Sequence, residues 1–356
     1  MKWLKDNPFV IFLGKKVAFT LAAIFLAMTF VFIFPHLMPS TPVDLMVGRI
    51  ASGSGGTSLG TSGATSSEGG GSLEVLRQVY MEKFGVNEPL QVQYVDFWKR
   101  FFTLDFGPSY WRYPQSVASL VSHSLPWTMA LVLPVIPIGF VVGNWIGSRA
   151  AYYRGRLDNL LYYFSMYMYR APYYWLALLV MLFFGVKLGW FPLHGAYSAG
   201  WTRPMFSFDW FTDALYHFVL PFVSLLGIGI GGWAVGMRAM CIYEMESDYM
   251  QYSEQLGFSK DKLRRYAVNN AILPNFTFIP LTLKILVSQT LLVEVVFGYP
   301  GLGTLLYNGV FALDYPLIEA SFIITVLIVL VGNLIADLVY GVIDPRVGTA
   351  YIGEGR

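Results

Sequence analysis

The chain has 356 residues, of which 55% are hydrophobic, 17% aromatic and 13% charged, with a formal net charge of +2. A soluble domain carries roughly 25% charged residues, so this composition points to a membrane protein rather than a large water-soluble core. The small net charge argues against a nucleic-acid partner, and the single cysteine, Cys241, excludes an internal disulfide and any multi-cysteine metal site.

Apolar runs long enough to cross a bilayer, about 20 residues each, fall at Val17–Phe34, Leu125–Ser148, Asn159–Phe184, Tyr216–Met237, Phe276–Phe297 and Leu317–Tyr340. They predict an all-α membrane protein of six transmembrane helices. The first run follows Lys2, Lys5, Lys15 and Lys16, as the core of a signal peptide would. It is too long for that role, and the "PHLMPSTPVD" behind it offers no small-x-small cleavage site. Residues 1–34 are therefore expected to form an N-terminus and a retained first span.

Residues 35–124 separate the first two spans. Within them, residues 51–72 open with "ASGSGGTSLGTSGATSSEGGG", which lacks apolar periodicity and reads as a flexible loop. A Gly-rich phosphate cradle would need a strand before it and Gly-Lys-Ser/Thr after it, and that triplet occurs nowhere in the chain. Beyond the tract, "EVLRQVYMEKF" and "EPLQVQYVDFWKRFF" carry helix-spaced apolar residues. These are Val75 and Val79 in the first and Tyr94, Trp98 and Phe101 in the second, with Pro89 in a first turn. Both helices are expected to pack on the outer mouth of the bundle.

Residues 125–345 read as the transmembrane core. Gly139, Gly143 and Gly147 recur at four-residue spacing in span two, and Gly232 and Gly236 do so in span four. Small residues on one face let helix backbones approach closely in lipid. Lysine and arginine then set the orientation. With the N-terminus inside, the inner side collects the N-terminal lysines, Arg149, Arg154, Arg156, Arg238, Lys260, Lys262, Arg264, Arg265, Arg346 and Arg356. The short outer loops hold Lys187 and Arg203. Both termini, the tail 346–356 and the charged stretch 238–275 are thus expected to be cytoplasmic, and residues 35–124 extracytoplasmic.

Within that stretch, "SDYMQYSEQLGFSKDKLRRYAVNNAILP" (247–274) reads as a helix, a tight turn and a second helix. Met245, Tyr249, Tyr252 and Leu256 make an apolar stripe. Gly257 is placed to end the first helix as a left-handed cap. Ser259 can N-cap the second, with Asp261 favourable in its first turn. Pro274 marks where it gives way to span five. A knob with one apolar face suits a partner's groove; an amphipathic helix on the bilayer surface, or a solvated loop, fits the periodicity equally.

Those residues resemble a family. The stretch looks like the coupling loop of ABC importer permeases, whose pattern runs Glu-Ala-Ala, then Gly, then Ile-x-Leu-Pro. Glu254, Gly257, Ile272, Leu273 and Pro274 sit in the matching places, with Ser253 and Gln255 where alanines are expected. "PSTPVD", "FGVNEPLQVQY", "LDFGPSY" and "SLPWTMALVLP" resemble, in order, pieces of the dipeptide/oligopeptide branch. "VEVVFGYPGLGTLL" and "DYPLIEA" resemble its Glu-x-x-Phe-x-x-Pro-Gly-x-Gly element, and "NLIADLVYGVIDPRV" its closing Asp-Pro-Arg tail. The likeness covers nearly the whole chain outside the Gly/Ser tract.

The resemblance implies the fold of a type I ABC importer permease and a subunit forming half of a translocation pathway. Tyr249, Ser253, Glu254, Gly257 and Phe258 would then meet a separate ATPase subunit, ATP and Mg²⁺ being bound there and no cofactor by this chain. It further implies a second, related permease, two ATP-binding subunits or domains, an extracytoplasmic substrate-binding protein and a prokaryotic cell membrane. Di- and oligopeptides are the expected cargo, with oligosaccharides or nickel chelates as alternatives.

Charges inside the spans bear on the pathway. Arg170, within span three, and Lys284, within span five, should face a wet cavity or a partner, since a charge in hydrocarbon costs several kcal/mol. Either they line the pathway, or Arg170 pairs with Asp337 or Glu294 while Lys284 snorkels inward. Glu294, Pro300, Gly301 and Gly303 mark a break at the outer end of span five, which reads as a gate, a docking platform or a plain turn. The many tyrosines near span three suit an interface belt. Neither a nucleophile–base set nor metal-ligand spacing occurs in the spans, which argues against an intramembrane enzyme. A stand-alone channel or secondary transporter would need no charged knob, and the chain shows no inverted repeat.

Overall fold

The computed structural model describes residues 8–37, 75, 77–79, 81, 88–152, 155–200 and 207–343. The Gly/Ser tract 51–72, "PSTPVD" and the tail 346–356 lie outside these residues, as do Lys2, Lys5, Arg154 and Arg203. The regular elements among the described residues are helices, and extended backbone pairs in one isolated bridge, Pro108 with Ser116.

The helices run α1 Pro8–His36, α2 Leu90–Thr103, α3 Val117–Tyr152, α4 Arg156–Arg170, α5 Tyr173–Val180, α6 Phe208–Met245, α7 Asp248–Gln255, α8 Lys260–Phe276, α9 Ile279–Phe297, α10 Leu302–Ala312 and α11 Tyr315–Ile343. A π-helical turn, Met181–Lys187, extends α5. Gly14–Ile33 of α1, the whole of α3 and α6, and Tyr315–Ile335 of α11 are each long and apolar enough to span a bilayer. Two bent pairs, α4 with α5 and α8 with α9, bring the number of candidate spans to as many as six.

The bends are where the structure departs from straight spans. Asn159–Phe184 breaks into α4 and α5, which meet at 108°. Ala171 is extended (φ −66°, ψ 135°) before Pro172, the conformation a following proline imposes by excluding the helical region. α8 and α9 meet at 61°. Here the helix outlasts Pro274 by two residues, ending at Phe276, and α9 restarts with Pro280 in its first turn, where a missing N–H costs nothing.

The chain separates into two compact units. In the one built around Leu125–Thr304, an apolar core gathers Leu131, Leu220, Leu225, Leu286, Val293 and Phe297. Glycines set its helix spacing. A Cβ on Gly143 or Gly147 would strike Trp233 or the Ala234 carbonyl, so α3 rests backbone to backbone on α6. Gly231, rather than the Gly232 and Gly236 pair, receives the backbone of α4: a Cβ there would lie 2.7 Å from the Ser165 carbonyl oxygen. Arg238 on α6 locks the same contact, its Nε and Nη2 donating to the two oxygens of Asp158 on α4 at 2.7 and 2.9 Å.

The second unit holds described residues of 22–124 and 305–326. Here α2 packs on α1: Phe25 stacks on Trp98, Phe32 meets Tyr94 and Phe97, and the Thr29 and Tyr94 hydroxyls are 2.8 Å apart. Of the helix-spaced aromatics of "EPLQVQYVDFWKRFF", Tyr94 and Trp98 therefore face α1, and Phe101 packs on Trp98. Asp314 ties the unit together. It accepts from Ser109 Oγ at 2.5 Å and from Trp111 N at 3.0 Å, and it caps α11 through Leu317 N at 3.2 Å.

Candidate functional site

The two helix breaks border one cavity. It measures about 250 Å³ and is lined by Tyr169 and Tyr173, on either side of the α4–α5 break, and by Asn275 and Phe278, flanking the α8–α9 break. α6 supplies Gly229, Gly232, Gly236 and Trp233, and α9 supplies Leu281, Thr282 and Ile285. Broken helices at membrane depth leave backbone groups unpaired, which is tolerated where they are buried in protein or line a cavity. The lining is mainly apolar, with Tyr169, Tyr173, Trp233 and Phe278 as its aromatic members, a surface suited to ring stacking.

Asn275 fixes one edge of this cavity. Its Nδ2 donates to Asn144 Oδ1 at 2.5 Å, and Asn144 Nδ2 donates to the Phe140 carbonyl at 2.7 Å. Both side chains are buried, so each needs a partner inside the protein. Gly236 makes room for the amide: a Cβ there would sit 2.8 Å from Asn275 Oδ1.

Arg170 ends α4 at the break, exposed, with its guanidinium 5.3 Å from the Tyr169 ring centroid. It makes no ion pair among the described residues, and the side chain of Asp337 lies outside them. Lys284 is exposed on α9, one residue from the lining Ile285 but outside the cavity wall. The structure thus brings Arg170 beside the cavity through Tyr169 and leaves Lys284 on an open helix face.

Glu294 is fully buried and does not pair with Arg170. Its Oε1 accepts from Thr128 Oγ1 at 2.6 Å and its Oε2 from Gly303 N at 2.6 Å. Thr128 Oγ1 in turn accepts from Leu302 N at 2.8 Å. The carboxylate thereby serves the free N–H groups at the start of α10, where its charge also opposes the helix dipole. Gly298 turns the chain back at φ 54° with Tyr299 N bonded to the Glu294 carbonyl at 2.8 Å, and Phe297 fills the core. After Pro300, Gly301 has no space for a Cβ because the Glu294 carboxylate occupies it. The spacing Glu-x-x-Phe-x-x-Pro-Gly-x-Gly is one folded unit. At Gly303 a Cβ would lie 2.5 Å from the Leu291 backbone and 2.8 Å from Glu294 Oε2. Gly303→Ala is therefore expected to destabilise the protein by roughly 1–3 kcal/mol, the usual cost of overpacking; a thermal melt of the purified chain that matches wild type would refute this.

The charged stretch folds as α7 and α8. Gly257 takes φ +81°, and its N–H bonds the Glu254 carbonyl at 2.9 Å while Phe258 N bonds that of Ser253 at 3.2 Å. This bond pair is the Schellman ending that a glycine favours. Ser259 occupies the N-cap of α8 but its hydroxyl makes no cap bond. Inside the hairpin, Tyr249 OH donates to Glu244 at 2.5 Å and accepts from Asn270 Nδ2 at 2.8 Å. Ser253 Oγ returns to the Tyr249 carbonyl at 2.7 Å. Phe258 packs edge-on to Tyr266, under the Lys262 ammonium at 3.8 Å. Met250 is buried, whereas Tyr252, Leu256 and Glu254 are exposed at the tip. Among the described residues, no group of three metal-ligating side chains converges.

Up to six apolar spans, two of them broken beside one cavity, and a charged helical hairpin describe a multi-span membrane protein. Residues 117–349 match the family described as binding-protein-dependent transport system inner membrane component, and the chain belongs to that family of multi-pass inner-membrane ABC permeases. It is similar to the oligopeptide permease AppB of Bacillus subtilis, 30% identical and covering 76% of this chain and 84% of that protein. It is similar to the oligopeptide permease OppB of Haemophilus influenzae at 28% identity, covering 94% of this chain and 98% of that one. The dipeptide permease DppB of Lactococcus lactis is 26% identical over 94% of this chain and 97% of its own length.

Several residues of the cavity escape sequence reasoning. Asn275 lies just before the apolar run Phe276–Phe297, where nothing marks it as a lining residue. Its partner Asn144, outside the cavity, is a lone amide in span two whose isolation was the available signal that it must find a partner. Gly229 and Gly232 carried no sign of lining a cavity beyond their small size.

Proposed function

We propose that the chain is the permease subunit of an ATP-driven, binding-protein-dependent peptide importer and forms half of its translocation pathway. One observation carries this reading: α8 is a single helix that starts at the charged hairpin and ends at the cavity, with Lys260 at one end and Asn275 near the other. A push on the hairpin is thereby delivered to the α8–α9 break. In this reading ATP and Mg²⁺ bind on two partner ATPase subunits or domains, which grip Tyr252, Leu256 and the neighbouring Tyr249, Ser253, Glu254, Gly257 and Phe258. Their closure swings α8 and reshapes the cavity between inward- and outward-open states. The basic ends of the spans favour a cytoplasmic hairpin, and in this reading a second permease covers the open face of α9 that carries Lys284.

Peptides are favoured by the printed functions of the relatives. Oligosaccharides are the second reading, favoured by Tyr169, Tyr173 and Trp233 around a cavity without a charged lining residue. The two are separated by ATPase activity of the reconstituted complex with its binding protein and either ligand class. Stimulation by peptides, and none by oligosaccharides, is expected. The reverse result assigns the cargo to sugars, and failure of any ATPase to co-purify overturns the importer reading itself.

A further inference from the structure

The cavity at the helix breaks contains one polar atom whose chemistry the surrounding bonds fix. Asn275 lines the cavity and is 2% exposed, and its Nδ2 is occupied by Asn144. Among the described residues nothing donates to its Oδ1, and that oxygen is not sealed inside the core. It therefore opens on the cavity, over the bare backbone of Gly236, where a Cβ would come within 2.8 Å of it.

The direction of this amide is set on α3. The Phe140 carbonyl can only accept, so the end of Asn144 that meets it at 2.7 Å is Nδ2. Asn144 must then turn its Oδ1 toward Asn275, and that oxygen can only accept as well. The end of Asn275 that meets it at 2.5 Å is Nδ2, which leaves Oδ1 on the cavity side. A flipped Asn275 would set oxygen against oxygen. Asn144 is thus a positioning residue, and it gives the cavity an acceptor that cannot turn into a donor.

A buried acceptor without a partner calls for a donor. The lining supplies none: Thr282 donates its hydroxyl to the Phe278 carbonyl at 3.0 Å, and neither Tyr169 nor Tyr173 bonds Asn275. An ammonium is a poor occupant, since the cavity has no charged lining residue to offset its desolvation. A neutral N–H between mainly apolar walls fits. We propose that Asn275 contacts the cargo, its Oδ1 accepting one backbone amide N–H of a peptide in transit. The assignment rests on the peptide-importer reading above and adds to it the atom that the cargo meets.

The test uses the assembled importer, with its ATPase subunits and binding protein, in proteoliposomes. Uptake of trialanine is compared with uptake of its ester analogues, in each of which one amide N–H is replaced by oxygen. The binding protein is the same in every arm, so a change in the peptide-to-ester ratio between variants reports the permease. Both uptakes are read on one preparation, so a loss of folded complex cancels. Against one of the esters, wild type should discriminate about tenfold more strongly than Asn275→Ala, the scale of leaving one buried acceptor unpaired. Asn144→Leu frees the Asn275 amide to turn and should lose that discrimination. Asn144→Asp still accepts from Nδ2 and should keep it. Uptake of trialanine with equal ratios in wild type and Asn275→Ala overturns the inference and leaves the importer reading standing. So does equal discrimination in Asn144→Leu and Asn144→Asp. No uptake of trialanine, or of any longer alanine peptide, by wild type overturns both.

Discussion

Arg238→Ala is expected to cost about 3 kcal/mol of stability, the lower end of the range for breaking a buried ion pair by removing one partner. The loss comes from what is left behind. Asp158 is nearly buried, and both of its oxygens are occupied by the guanidinium fork. Without Arg238 a carboxylate remains between α4 and α6 with no counter-charge. Two effects hold the figure at the low end: the Arg238 side chain is 22% exposed, so water can enter, and Asp158 lies in the first turn of α4, where the helix dipole favours an anion. The guanidinium also rests 4.5 Å from the Tyr162 ring centroid, so alanine forfeits packing as well as charge. Arg238→Lys keeps the charge and loses the fork, and should fall between wild type and alanine. Asp158→Asn combined with Arg238→Met removes both charges and should be more stable than Arg238→Ala alone. Thermal unfolding of the four proteins in one detergent decides the matter; a single-variant loss below about 0.5 kcal/mol, within the scatter of surface changes, would show that the pair is solvated.

How much of this was legible in the sequence varies with the kind of signal. Long apolar runs locate spans because bilayer thickness sets their length, so α1, α3, α6 and α11 were visible in outline. Their ends were not, since nothing in composition stops a helix at the membrane surface: α6 runs eight residues past either end of its apolar run, Tyr216–Met237, to Phe208–Met245. Span three was read as straight because Ala171–Pro172 sits in a run of tyrosines that hydropathy counts as membrane-compatible. The local rule that a residue before proline avoids the helical region accounts for the break at Ala171, which the sequence reading did not predict, but not for the 108° through which α4 turns. That angle depends on how α4 lies on Gly231, a contact far away in the chain.

The candidate sites divide the same way. Gly257 was legible because its role is local: a helix must end there, and a left-handed residue ends it. Glu294 was harder. Sequence marks it as a carboxylate beside a Pro/Gly break, which suits a gate, a platform or a turn. Its partner Thr128 lies 166 residues away, and no local pattern announces a bond across that distance. The cavity at the helix breaks was invisible for the same reason, since Tyr169, Gly232 and Asn275 are brought together only by tertiary packing.

Gly257→Val is expected to reduce ATP-driven uptake at least tenfold while the spans stay folded. Space is not the cause, because a Cβ at this position would meet nothing within 4 Å. The cause is φ +81°, which costs an L-residue roughly 1–2 kcal/mol, and a β-branched residue is a particularly poor fit there. The variant relieves the strain by leaving the left-handed region. It then loses the Gly257–Glu254 and Phe258–Ser253 bonds that close the end of α7 and swings Phe258 and the start of α8 away from the exposed Tyr252 and Leu256. About 1.4 kcal/mol of lost hairpin order corresponds to a tenfold loss of correctly docked complexes. Because the proposed coupling route runs through α8 to the cavity, complexes that still dock are expected to hydrolyse ATP without moving the α8–α9 break. Gly257→Asn, which tolerates the left-handed conformation, should retain most uptake, and Gly257→Ala should lie between. The quantity to measure is uptake per ATP hydrolysed in proteoliposomes. A ratio in the valine variant equal to wild type would mean that the hairpin does not need this ending to transmit force, and that the coupling surface lies elsewhere on the chain.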